Sequence, residues 1–187
     1  MSDQKNPQDT PAKPHDMPAK PRDMIVSSRH LATEEGWPSS EFEYGLILAY
    51  NGFARWMGRC TVAAGYSGLT TLEILVLHHI YHRSRKKRLS DICFQLNIED
   101  THTVNYALKK LQKAKLIEGE KVGKELFYSV TEQGSALCDK YREVREQCLV
   151  ESLKHIENMP KDLHETATVL RTLSGLYDQA SRAASSL

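Results

Sequence analysis

From residue 40 onward, apolar residues recur at helical spacing in successive blocks, whereas the first 38 residues show no such period. Phe42, Leu46, Ala49, Tyr50, Phe53, Met57 and Cys60 fall along one stripe of a first predicted helix within 39–66. Ser40 and Glu43 have the spacing of a capping box at its start, and Gly65 and Gly68 end it. Thr70 and Glu73 repeat the box ahead of a shorter helix that carries Leu72, Leu75, Val76 and Ile80. That helix runs out in the basic stretch Arg83-Ser-Arg-Lys-Lys-Arg88. Ser90 is placed to cap a short third helix with Ile92 and Leu96 inward, and Asn97-Ile-Glu-Asp100 then turns the chain. Asp100 is placed to cap a fourth helix over about 101–115.

Two helices joined by a turn of about four residues, the first only about two turns long, form the helix-turn-helix pattern. In the second of them Val104, Leu108, Leu111 and Lys115 lie on one side, with Ala107 beside them. His102, Tyr106, Lys109 and Lys113 lie on the other, flanked by Thr103, Asn105 and Lys110. Residues 101–115 contain no acid, unlike a solvated helix face with Glu/Lys pairs. Short polar and aromatic groups at the N-terminal end suit base edges, so His102, Thr103, Asn105 and Tyr106 are the expected readers. Lys109, Lys110 and Lys113 come later on the helix and suit phosphates. Next, runs at 116–122 and 125–130 flank Gly123-Lys124 and read as a hairpin. Lys121 and Lys124 at its tip would meet the nucleic-acid backbone or minor groove.

The remainder is again helical. Thr131 heads a long helix with Leu137, Tyr141, Val144, Cys148, Leu153 and Ile156 on a near-heptad stripe, and Pro160 starts another. Leu163, Ala167, Leu170, Leu173 and Tyr177 make an apolar stripe on that last helix, more than so small a preceding domain covers. A second copy of the chain is the expected partner for it, with antiparallel packing on the preceding helix as the alternative.

Composition changes this picture in two places. Six of the seven prolines lie within residues 1–38, where Pro-Ala-Lys-Pro-His-Asp-Met (11–17) is followed by Pro-Ala-Lys-Pro-Arg-Asp-Met (18–24). So polar a segment cannot offset its ordering entropy and is expected to be an extended arm. Charge is the second. The whole chain carries 25 Lys+Arg against 24 Asp+Glu, but residues 81–124 hold eleven basic and five acidic residues, a local net of +6. Such a concentration is the electrostatic footprint of a polyanion-binding segment. Arg83, Arg85, Lys86, Lys87 and Arg88 are accordingly expected to clamp a DNA backbone, while a nuclear-localisation signal is the weaker reading of the same run.

Other chemistry is poorly supported. No phosphate-binding glycine loop, GxSxG or paired-carboxylate signature is present, so no enzyme is expected. His78 and His82 are spaced i,i+4, but no acid or cysteine stands near in sequence to complete a zinc set; neither metal nor cofactor is expected. Four cysteines without CxxC spacing point to a reducing cytosol, and Cys60 beside Arg59 is the one with some claim to reactivity. No apolar run approaches a membrane span.

The order of elements resembles the multiple-antibiotic-resistance repressor (MarR) family of winged helix regulators. The residues that carry the resemblance are Leu69-Thr-Thr-Leu-Glu-Ile-Leu-Val-Leu77, Arg88-Leu-Ser-Asp-Ile-Cys-Phe-Gln-Leu96, the run 103–117, and Val130-Thr-Glu-Gln-Gly134. The fold expected is mainly α with a small β-hairpin wing. Its parts are an arm (1–38), an N-terminal helix of the dimerisation region (39–66), a winged helix-turn-helix (69–131) and a C-terminal helical dimerisation region (132–187). The resemblance implies a homodimer on double-stranded DNA with two half-sites, controlling transcription and often relieved by a small ligand. The family's wing usually carries an Asp-x-Arg element; here Lys121-Val-Gly-Lys-Glu125 has neither the Asp nor the Arg. A winged helix module for protein interaction and an architectural DNA binder without sequence preference are the alternatives.

Overall fold

A computed structural model of the chain describes Thr33, residues 36–157 and residues 159–187. Most of the proline-rich arm, including its tandem heptapeptide, lies outside the described residues. The chain divides into two compact units, one ending at Tyr50 and one running from Asn51 to Leu187.

Helix α1 spans Trp37–Ala63, four residues earlier than a helix capped by Ser40 would start. Ser40 is inside the helix, its backbone N–H bonded to Gly36 O, so it caps nothing. Pro38 explains the early start, because a proline in the first turn lacks only an N–H that would be unpaired there. In the first unit Leu46, Ile47, Leu48 and Tyr50 are exposed. In the second, Met57 and Cys60 are buried while Phe53 remains exposed, so the predicted stripe is core only at its C-terminal end.

The rest of the second unit follows the expected order. Helix α2 (Thr71–Tyr81) begins with the predicted box: Thr70 Oγ1 accepts from Glu73 N, and Glu73 Oε2 accepts from Thr70 N. A 3-10 turn at His82–Ser84 leads to a two-residue strand β1 (Lys87–Arg88) and to α3 (Leu89–Leu96). Arg88, not Ser90, is the N-cap of α3; Asp91 three residues on accepts from Arg88 N at 3.0 Å. Asn97 closes α3 in the left-handed region (φ 51), a conformation asparagine tolerates better than most residues. Asp100 caps α4 (Thr101–Lys113) through His102 N, as expected. The helix stops before Lys115, which has φ 59 and is exposed rather than on the core face.

Strands β2 (Ile117–Val122) and β3 (Glu125–Val130) form the hairpin, turning at Gly123 with φ 64. The sheet has three strands, in the order β1-β3-β2, all antiparallel. β1, formed from the end of the basic stretch, pairs Lys87 with Tyr128 and Arg88 with Phe127. Thr131 caps α5 (Glu132–Arg145) and also fixes it to the end of the helix-turn-helix: its N–H donates to Leu116 O and its hydroxyl to Lys115 O. A π-helical turn (Glu146–Val150) and the single turn α6 (Glu151–Leu153) follow, so the long helix is interrupted before α7 (Met159–Ala184).

Val76, Leu77 and Ile80 of α2, Ile92 of α3, Val104, Leu108 and Leu111 of α4, Leu116, Tyr128 of β3 and Leu137 of α5 form one core. Each fully buried aliphatic side chain there contributes about 1.5–3 kcal/mol of transfer free energy. That core fixes α4 with its polar side outward. No helix among the described residues is long and apolar enough to cross a membrane.

Candidate nucleic-acid interface

The amphipathic pattern of α4 decides its orientation. Val104, Ala107, Leu108 and Leu111 are buried, which turns His102, Thr103, Tyr106, Lys109 and Lys113 to the exposed side. Tyr106 is 66% exposed, a large ring held out on a rigid helix. Asn105 is half-buried and faces a groove of about 420 Å³ between α4, the start of α3 and the wing residues Glu125 and Leu126. Thr103 has a structural task as well, because its hydroxyl donates to Asp100 Oδ2. That bond and the His102 N–H hold the Asp100 carboxylate below the usual range.

The expected phosphate-binding cations divide into two groups. Lys109, Lys113, Lys121 and Lys124 are exposed and make no ion pair among the described residues, and the same holds for Arg83 and Arg85. The others have partners inside the domain. Lys110 Nζ lies 2.7 Å from Glu73 Oε1, and Glu73 is buried at 2% exposure. That carboxylate keeps the Lys110 ammonium charged to higher pH than usual. The pair fastens α4 to α2, and Glu73 answers on its other oxygen to Thr70 N. Lys86 Nζ meets Glu120 of β2. Lys87 Nζ donates to the carbonyls of His82 (2.6 Å) and Ile80 (3.2 Å), closing the C-terminal end of α2. Burial lowers the Lys87 pKa, and Arg83 and Arg85 push it the same way.

Arg88 is the most constrained of these residues. Its guanidinium donates to Asp91 (Nη2–Oδ1 2.9 Å) and to Glu125, the first residue of β3 beside the wing turn (Nη1–Oε1 2.9 Å). The two carboxylates raise its pKa further, and Arg88 in turn holds Asp91 below the usual carboxylate range. Arg88 therefore ties the wing to the first turn of α3, a role available only because β1 lies beside β3. Glu73, Asp91 and Glu125 were missed as partners; the capping-box spacing marked Glu73, but nothing local in sequence marks Glu125.

The remaining candidate groups are dispersed. His78 packs edge-on against Tyr141 with ring centroids 4.4 Å apart, and burial lowers its pKa. Among the described residues no three His, Cys, Asp or Glu side chains gather as metal ligands. Cys60 donates its thiol to Tyr141 O at 3.6 Å, and burial pushes its pKa up. Cys93 and Cys138 are buried, the latter with its pKa pushed up to about 12, while Cys148 is exposed. On α7, Leu163, Leu170 and Tyr177 of the expected stripe are exposed and Ala167 and Leu173 half-buried. Asn97 Nδ2, at the helix-turn-helix turn, donates to Ser174 Oγ of α7 at 3.2 Å.

Residues 69–134 match the model of a winged helix DNA-binding domain. No curated protein matches the chain by sequence. Solved structures of the same fold include AbfR of Staphylococcus epidermidis, 16% identical, covering 78% of this chain and 97% of that one with a TM-score of 0.62. A MarR-family transcriptional regulator from Rhodococcus sp. RHA1 is 12% identical, with coverage of 73% and 94% and a TM-score of 0.60. The M. tuberculosis regulator MOSR, solved in complex with DNA, is 15% identical, with coverage of 71% and 96% and a TM-score of 0.57. At these identities the likeness is one of fold.

Proposed function

Since the chain carries a winged helix DNA-binding domain in the fold of the MarR-family transcription regulators, we propose that it is a sequence-specific regulator of transcription. It acts in the cytoplasm as a homodimer on double-stranded DNA, and a small-molecule effector adjusts its affinity. The observation that carries this reading is the outer face of α4, which is rigid, free of acids and supplied with Lys109 and Lys113 behind His102 and Tyr106. Such a helix fits a major groove with its N-terminal end at the base edges. Asn105 reads from the groove side, and Thr103 chiefly holds the start of the helix through Asp100. Lysines at the wing tip supply backbone charge but read a narrow minor groove less well than arginine, so preference rests mainly on α4.

Two features support the dimer. Leu163, Leu170 and Tyr177 keep their apolar stripe exposed on α7, and a second copy would cover it. One winged domain also offers few base contacts, whereas two fixed readers gain from effective concentration. Selection of bound duplexes from a random pool tests the proposal. The enriched sites should hold two related half-sites about one helical turn apart. His102→Ala and Tyr106→Ala should each cost about 1–3 kcal/mol on the best site and relax preference there. Enrichment of no sequence, or variants that bind selected and random DNA like the parent, would sink the reading.

A further inference from the structure

The face of α3 that points away from the core borders a cleft of about 690 Å³, closed on its other side by the end of α2 and the loop at 83–88. Phe94 stands on its rim at 82% exposure. An aromatic ring left so far in water on a rigid helix has no part in the core, and α4 and the wing make no use of it. Across the cleft stand Arg83 and Arg85, without an ion pair among the described residues, and Lys87, whose ammonium touches only backbone carbonyls. The five cations of the loop face three carboxylates, Asp91, Glu120 and Glu125, so two positive charges are left over. Arg83 is held in the left-handed region (φ 63), a strained backbone for arginine that brings it to the cleft wall.

We propose that this cleft is a binding site for a nucleoside phosphate: Arg83 and Arg85 take the phosphates, with the Lys87 charge behind them, and Phe94 stacks the base. A diphosphate more than offsets the surplus charge and relieves the mutual repulsion of these three cations. Asp91 on the same wall is turned to Arg88, and the surplus of two positive charges remains after it is counted. Duplex DNA would offer phosphates to the arginines but no free ring to Phe94, since its bases are paired and stacked; a free nucleotide offers both. Arg88 borders this cleft and also the groove at the wing. Phosphates in the cleft compete with Glu125 for its guanidinium and so loosen the wing from α3. The binding step stands independently of the DNA-binding reading, and only its effect on the wing rests on it.

Calorimetry on the full chain in low salt tests the site, with ADP, GDP, CDP and UDP as probes and with inorganic phosphate and adenosine as controls. At least one diphosphate is expected to bind more tightly than about 1 mM, and about tenfold more tightly than either control. Phe94→Ala and Arg85→Gln, both at exposed positions, should each weaken it at least about fivefold. They should leave the melting temperature unchanged. Phe94→Ala should also leave duplex affinity intact. The proposal is overturned if none of the four diphosphates reaches that affinity, or if Phe94→Ala binds nucleotide like the parent. It is equally overturned if phosphate alone binds as well as the diphosphates, which would make the cleft a contact for backbone charge only.

Discussion

The division of the basic residues into paired and unpaired groups makes a quantitative prediction about salt. Each phosphate neutralised by a cation contributes about −0.9 to the slope of log K against log salt on duplex DNA. Lys109 is exposed and unpaired, so in a dimer its replacement removes two contacts, and Lys109→Gln should flatten the slope by about 1.8. Over a fourfold rise in salt, the parent should therefore lose about twelve times more affinity than the variant. Lys113→Gln should behave alike. Lys110 stands on the neighbouring position of the same helix, yet its ammonium lies 2.7 Å from a carboxylate that is almost wholly enclosed. Moving it to a phosphate would strand Glu73 in the core without its partner, and an uncompensated buried charge costs several kcal/mol. One phosphate contact at physiological salt does not return that much. Lys110→Gln should leave the slope unchanged while lowering thermal stability and, by freeing α4 from α2, the ratio of specific to random binding.

The assay is a fluorescence-anisotropy titration of a selected duplex and of a random one at several salt concentrations, with each variant's melting curve recorded beside it. Slopes from Lys109→Gln and Lys110→Gln that fall together would refute the partition, because both lysines would then be releasing counterions. A Lys110→Gln variant that melts like the parent would refute it from the other side, by showing that Glu73 has no need of the ammonium.

Two further outcomes test the frame that carries the interface. A Cβ at Gly134 would lie 2.0 Å from Leu116 O and 2.7 Å from Val130 Cγ2, so Gly134→Ala must push α5 off the end of the helix-turn-helix and strain the Thr131 cap. It should cost about 3 kcal/mol, or about 6–12 °C in melting temperature. Gly175→Ala in α7, where nothing lies within 4 Å of the added carbon, should be neutral or stabilising by up to about 1 kcal/mol; equal melting of the two variants would contradict this packing. Burial holds the His78 pKa below its ordinary 6.5, so as pH falls through 6.5 the unfolded chain takes up a proton that the folded one does not. The stability present above pH 6.5 is lost progressively below it, and urea midpoints at about pH 7.5 and 5.5 should differ less in His78→Phe than in the parent; an equal difference would remove His78 from the account.

What could be read from the sequence is what is decided within a few residues. Thr70 with Glu73, Asp100 with the start of α4, Thr131 with Gly134 and the turn at Gly123 are bonds or backbone conformations that span three residues or fewer. Each stands where the sequence places it. The buried side of α4 was equally legible, since period and core agree. Ser40 misled because a capping box is only a spacing, and Pro38 supplied a competing start just upstream. Ser90 misled for a different reason. Arg88 takes over the start of α3 once β1 has paired with β3, and that pairing joins residues some forty positions apart.

The same distance in sequence limited the reading of charge. The basic run at 83–88 looked like five equivalent cations because composition treats every lysine and arginine alike. Folding makes them unequal by bringing Glu120 to Lys86, Glu125 to Arg88 and the carbonyls at the end of α2 to Lys87. Arg83 and Arg85 are left without an ion pair among the described residues. Lys109 and Lys110 are separated in the same way, by one step of about 100° around the helix that carries Lys110 over to Glu73. A charge count predicts that a polyanion can be attracted; the tertiary partner of each cation decides which of them touches it. Among the described residues, Lys109 and Lys113 on the outer face of α4, Lys121 and Lys124 at the wing tip, and Arg83 and Arg85 at the mouth of the α2–α3 cleft make no ion pair. Under the two proposed readings, duplex DNA and a nucleoside phosphate would be held on different faces of one small domain, and Arg88, bonded toward both α3 and the wing, is the residue through which one would affect the other.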